Sequence, residues 1–126
     1  MNKYNPLKAT EPEEWLACDE SERMALINRF HLDSCADVPE GAENMHATVH
    51  LIVENQLAEG FESVSAAISK LVFQGMDRHE AIHAVGAVLS EEMFELYRGS
   101  NAQWDQNKYD KRLDKLSAMR WRKGKW

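Results

Sequence analysis

Covalent staples and membrane-length segments are scarce in this sequence. Its 126 residues include two cysteines, Cys18 and Cys35, outside any Cys-x-x-Cys spacing. That excludes a disulfide framework and a zinc knuckle, and both thiols are read as reduced and partly buried. The longest apolar run, Ala84 to Leu89, is interrupted by Gly86. It falls far short of the roughly 20 residues a spanning helix needs, so no membrane partner is expected. Met1 to Lys8 has no apolar stretch of the kind a secretory leader carries, which makes the cytoplasm the default location. Alternating stretches rich in β-branched residues are also missing, and with them the signal for a sheet.

What remains is ordinary for a helical globular chain. Hydrophobic residues make up 44% and charged residues 29%, enough apolar material for a core that does not depend on a metal. The net charge of −6 is uneven: residues 1–100 hold seven Lys/Arg against eighteen Asp/Glu, while residues 101–126 hold eight Lys/Arg against three Asp. An acidic body argues against a nucleic-acid-binding core.

Punctuation divides the chain into helices. Residues 1–11 read as an irregular arm. Thr10 and Pro12 suit the start of a short helix bearing Trp15 and Leu16. Asp19 with Glu22 spells a capping box that opens a helix to about Leu32, with Met24, Ile27 and Phe30–His31 on one stripe. Asp33 to Gly41 reads as a loop. A helix from about Glu43 to Glu59 ends at Gly60, and one capped by Ser63 ends at Gly75. Asp77 with Glu80 opens the longest helix, to Arg98 with Gly99 beyond. Asn101 can cap a last helix bearing Trp104, Tyr109, Leu113 and Leu116. The expectation is an all-α, small single-domain bundle of about five helices over residues 1–116, followed by a basic, Trp-containing tail at 117–126.

Four of the five histidines form two pairs, His46 with His50 and His79 with His83. On a helix, positions four apart lie one above the other, so two imidazoles can converge on one ion. Glu54 continues the first row by a further turn. If the two helices face each other, His46, His50, His79 and His83 form one nitrogen-rich site, with Glu54 as a further ligand or as an acceptor behind the ligands. His31 ends an earlier helix and is a further candidate. Neutral imidazoles suit a divalent transition metal, zinc first, with iron or nickel as alternatives. The competing reading is that the histidines form hydrogen bonds and pack between helices.

His79-Glu80-Ala81-Ile82-His83 also spells the His-Glu-x-x-His pattern of zinc metalloproteases, in which the Glu activates water. Glu80 is therefore the candidate catalytic residue of a small zinc hydrolase. It stands three residues after Asp77, where it also completes a capping box, and the chain shows no strand to line a peptide groove. His50 with Glu54 has the His-x-x-x-Glu spacing of helical di-iron sites such as those of hemerythrins, but too few further acids fall at matching turns.

The stretch from His46-Ala47-Thr48-Val49-His50 to Glu54-Asn55-Gln56-Leu57, together with Gly75-Met76-Asp77-Arg78-His79-Glu80-Ala81-Ile82-His83, resembles a bacterial family known as domain of unknown function 1841. Tyr4-Asn5-Pro6-Leu7, Trp15-Leu16 and Asp19-Glu20 look like one branch of it. The resemblance covers nearly all the chain before about Leu116. It implies a helical bacterial protein with the His pairs as signature positions, and no assigned reaction.

The tail Met119-Arg120-Trp121-Arg122-Lys123-Gly124-Lys125-Trp126 interleaves basic residues with tryptophan. It is the one place where nucleic acid or an anionic surface is a candidate partner, against the simpler reading of a solvated C-terminus. Met24, Met45, Met76, Met93 and Met119 read as core filling. Ala84, Gly86 and Ala87 form a small-residue patch suited to close helix packing, inside the chain or across a homodimer seam. Two further readings of function stand beside metal binding: a non-enzymatic interaction module with structural histidines, and the zinc hydrolase.

Overall fold

The computed structural model describes residues 1–34, 43–99 and 103–126. Among them are seven helices and no strand: α1 (Pro12–Ala17), α2 (Glu20–Ser34), α3 (Glu43–Ala58), α4 (Glu62–Phe73), α5 (Arg78–Arg98), α6 (Gln106–Lys115) and α7 (Ala118–Arg122). The all-α expectation holds, and five of these helices have ten residues or more. No helix among the described residues is long and apolar enough to cross a membrane. The helices fall into two compact units, Met1–Phe61 and Glu62–Trp126.

The first unit begins with a turn. The Asn5 side-chain oxygen accepts from the Leu7 amide and the Asn5 carbonyl accepts from Lys8, with Pro6 between them. This turn directs Tyr4 inward, where it is 1% exposed. Pro12 takes the first position of α1, where its missing N–H costs nothing; the preceding residue at the cap is Glu11 rather than Thr10, with no side-chain cap bond. Asp19 accepts from the Glu22 amide at 2.8 Å and opens α2 as the sequence indicated. Gly60, with φ of 82°, turns the chain after α3 where a side chain would be strained.

Helices α1 and α2 both pack on α3. Tyr4, Trp15, Ile27, Ala47 and Leu51 form the core, flanked by Met24, Leu26, Phe30 and Ala58. Polar bonds fix the angle of approach. The Trp15 indole N–H donates to Asn55 Oδ1 at 2.9 Å, and Arg23 donates to the same oxygen at 3.1 Å. Arg23 also reaches the Cys18 and Leu16 carbonyls at the end of α1. Cys18 is buried and free; Cys35 and most of the expected 33–41 loop lie outside the described residues.

In the second unit α4, α5 and α6 pack pairwise. Val64, Ile68, Leu71, Ile82, Val85, Leu89, Tyr109 and Leu113 are buried. Asp77 accepts from the Glu80 amide at 2.7 Å, confirming that α5 starts with this cap. Gly75 has φ of 102°, and Gly99 follows α5 in an extended conformation.

Three local expectations are corrected. Ser63 lies inside α4, and its hydroxyl donates to Asp110 on α6 rather than capping its own helix. Asn101 lies outside the described residues, and α6 is capped by Asp105, whose carboxylate accepts from Lys108, so Trp104 precedes the helix. Met119 is 64% exposed, not core, because it sits on the short α7; the side chain of Met45 is not among those described. Ala84 and Gly86 of the small-residue patch are buried, and Ala87 is half-buried.

The C-terminal residues are tied to the second unit. Ser117 caps α7, Gln74 accepts from the Ala118 amide, and Arg112 donates to the Trp126 carbonyl at 2.9 Å. Trp121 and Trp126 lie with ring centroids 4.8 Å apart.

Candidate metal centre

Three histidines meet in the first unit. His46 and His50 stand one turn apart on α3, with ring centroids 5.0 Å from each other. His31, near the end of α2, approaches both: its ring centroid is 4.5 Å from that of His46 and 4.8 Å from that of His50. Packing of α2 on α3 through Ile27, Ala47 and Leu51 brings the third ring in. One nitrogen from each of the three lies within 4.8 Å of the others. Nitrogens bound to a tetrahedral ion at about 2.1 Å are about 3.4 Å apart, so the trio needs to close by on the order of 1 Å.

His50 is fully buried, and His31 and His46 are half-buried. Aromatic rings wall the site, with Phe30 edge-on to His31 and Tyr4 edge-on to both Phe30 and His50. His31 Nδ1 lies 2.9 Å from the Ile27 carbonyl. A carbonyl only accepts, so Nδ1 carries the proton and the lone pair belongs to Nε2, the arrangement a metal-binding imidazole uses. Burial pushes the His31 pKa below the ordinary imidazole value, with the Ile27 hydrogen bond pulling the other way. Neutral imidazole, the ligating form, is thereby favoured.

Glu54 is fully buried one turn beyond His50, and its Oε2 accepts from the Tyr4 hydroxyl at 2.6 Å. The same hydroxyl is 3.1 Å from His50 Nδ1. Of the two roles open to Glu54 in the sequence, acceptor behind a ligand fits this contact. Tyr4 was not singled out as a site residue by sequence reasoning, since it lies 46 residues from His50 in an arm without helical periodicity.

The second pair is formed as well. His79 and His83 stand near the start of α5 with ring centroids 4.4 Å apart, both half-buried. Between them Glu80 has two structural partners: its amide donates to Asp77, and its carboxylate accepts from the Trp121 indole at 3.2 Å. Glu91, eight residues after His83, is engaged by Arg112. Glu92 is buried and faces Lys108 at 3.3 Å and Arg112 at 3.8 Å. Neither acid extends the histidine row.

An all-nitrogen donor set without thiolate suits zinc, iron, nickel or copper rather than calcium or magnesium. No family model matches this chain, and comparison with curated proteins and with solved structures finds no match.

Proposed function

We propose that this protein binds a divalent transition metal through His31, His46 and His50, with zinc the first choice and iron or nickel the alternatives. The observation that carries this reading is the convergence of three imidazoles from two helices to within 4.8 Å, one of them fully buried. Burying polar imidazoles costs free energy, and an uncharged packing role is filled more cheaply by apolar side chains. The tautomer set by Ile27 and the lowered His31 pKa both support ligation.

Three protein nitrogens leave room in the coordination sphere for a further ligand. The reading in which His79 and His83 serve the same ion rests on their spacing in the sequence. The bond from the Glu80 amide to Asp77 and the bond its carboxylate accepts from Trp121 favour a structural role for Glu80 over that of a hydrolytic base.

The test is elemental analysis of protein purified without a histidine tag, followed by metal titration of the chelated protein. The expected result is a single tightly held ion per chain, lost in His31→Ala and His50→Ala. Retention of the ion in both variants rejects the trio as the site. Loss of the ion in His79→Ala and His83→Ala supports the four-histidine reading, and retention in both assigns the ion to the first unit alone.

A further inference from the structure

We propose that Tyr4 is the positioning residue of the histidine site, its hydroxyl fixing His50 as the Nδ1–H tautomer so that Nε2 is the nitrogen offered to a metal. This rests on the metal-binding reading above. The argument is one of counting protons. A phenol has a single O–H hydrogen, and the Tyr4 hydroxyl lies against both Glu54 Oε2 at 2.6 Å and His50 Nδ1 at 3.1 Å. The shorter contact, to a carboxylate oxygen, is where the phenolic hydrogen goes. The contact to His50 then survives only if Nδ1 is the donor and the Tyr4 oxygen the acceptor. The chain of donors runs from His50 Nδ1–H to Tyr4 O–H to Glu54, and the lone pair of His50 falls on Nε2.

Carboxylates that hold a metal-binding histidine usually do so directly; here a buried tyrosine is interposed. The carboxylate keeps the hydroxyl oriented and makes its oxygen a better acceptor, and the oxygen in turn strengthens His50 as a donor to metal. Tyr4 is also the one member of this chain supplied by the N-terminal arm rather than by α3. Its seat is set by the Asn5–Lys8 turn and by ring contacts with Trp15 and Phe30 at 5.7 and 5.9 Å. Docking of the arm and affinity for metal are therefore linked, and by reciprocity a bound ion tightens the arm.

The experiment uses cobalt(II) as the metal, since its visible bands report coordination geometry, together with long-range proton–nitrogen correlation spectra of the imidazoles. In the wild-type chain before cobalt is added, His50 is expected to carry its proton on Nδ1. Tyr4→Phe keeps the ring and removes the oxygen. It is expected to lose the fixed tautomer, weaken cobalt binding about 10- to 100-fold and shift the visible bands. Glu54→Gln keeps an oxygen that can accept from Tyr4, so the tautomer should survive with a smaller loss of affinity. A wild-type His50 protonated at Nε2 overturns the proposal whether or not any variant folds. So does a Tyr4→Phe protein that binds cobalt as tightly as wild type with the same bands. A wild-type chain with the Nδ1–H tautomer that takes no cobalt overturns the metal reading itself, a failure distinct from that of Tyr4.

Discussion

The rings of His31 and His46 lie 4.5 Å apart at their centroids although one belongs to α2 and the other to α3. An ion held by both therefore clamps two helices, and its loss should be felt in stability. A ligand bound only by the folded chain stabilises it by about 2.7 kcal/mol when it is a hundredfold above its Kd. For a chain of this size that is a rise in Tm on the order of 5 °C. Calorimetry with chelator and then with added zinc should show the fall and the recovery. His31→Ala and His50→Ala should each abolish the shift while remaining folded, because the core is apolar. Identical melting curves with and without chelator, across zinc, iron and nickel, would return the histidines to a packing role.

Acid should act on the same residue in the metal-free protein. Burial holds the His31 pKa below its ordinary value of 6.5, so the unfolded chain takes up a proton more readily than the folded one. Above 6.5 the ring is neutral in both states and contributes no pH dependence. As pH falls from there through the lowered folded value, the unfolded state gains and stability declines. Urea midpoints of the chelated protein at several pH values should show this slope, and His31→Gln should flatten it. With metal present the decline should be steeper, because protonated imidazole does not ligate.

Glu80 offers a clean separation of capping from catalysis. Glu80→Gln preserves the amide that Asp77 accepts from, and its side-chain oxygen can still meet the Trp121 indole. The expected cost is under about 1 kcal/mol with metal content unchanged, whereas Asp77→Ala should cost about 1 kcal/mol by removing the cap. Loss of a metal-dependent hydrolytic activity in Glu80→Gln, with metal retained, would make Glu80 a base after all.

The junction of α1, α2 and α3 should be sensitive to Asn55. Its oxygen serves both Trp15 and Arg23, and Asn55→Ala leaves the buried indole N–H without that acceptor. A loss of about 1–3 kcal/mol is expected in chemical denaturation. If helix angle matters to the trio, the same variant should also weaken metal binding; an unchanged affinity would show that the histidines converge independently of this corner.

Helix boundaries were readable because their signals are local. Asp19, Asp77, Gly60 and Gly75 each act within a few residues of their own position, by capping an amide or by adopting a positive φ. Ser63 shows where that logic fails: a serine near a helix start is equally able to reach across to Asp110, 47 residues away, and it does. The pair His46–His50 was legible from helical spacing alone. The joining of His31 was suggested only by its place at the end of an earlier helix, since no spacing rule ties it to α3. Tyr4 left no trace of its role, because the partners of its hydroxyl are 46 and 50 residues distant and nothing in a polar arm marks a tyrosine that will be buried.

Asn55 meets both of its donors through the amide oxygen, and neither bond calls on the amide nitrogen. Conversion to aspartate, the ordinary chemical ageing of an asparagine, would therefore leave the indole and the guanidinium an oxygen to bind. The bond from Arg23 would become charge-assisted at both ends. At this corner deamidation, unlike truncation, leaves the helices held together.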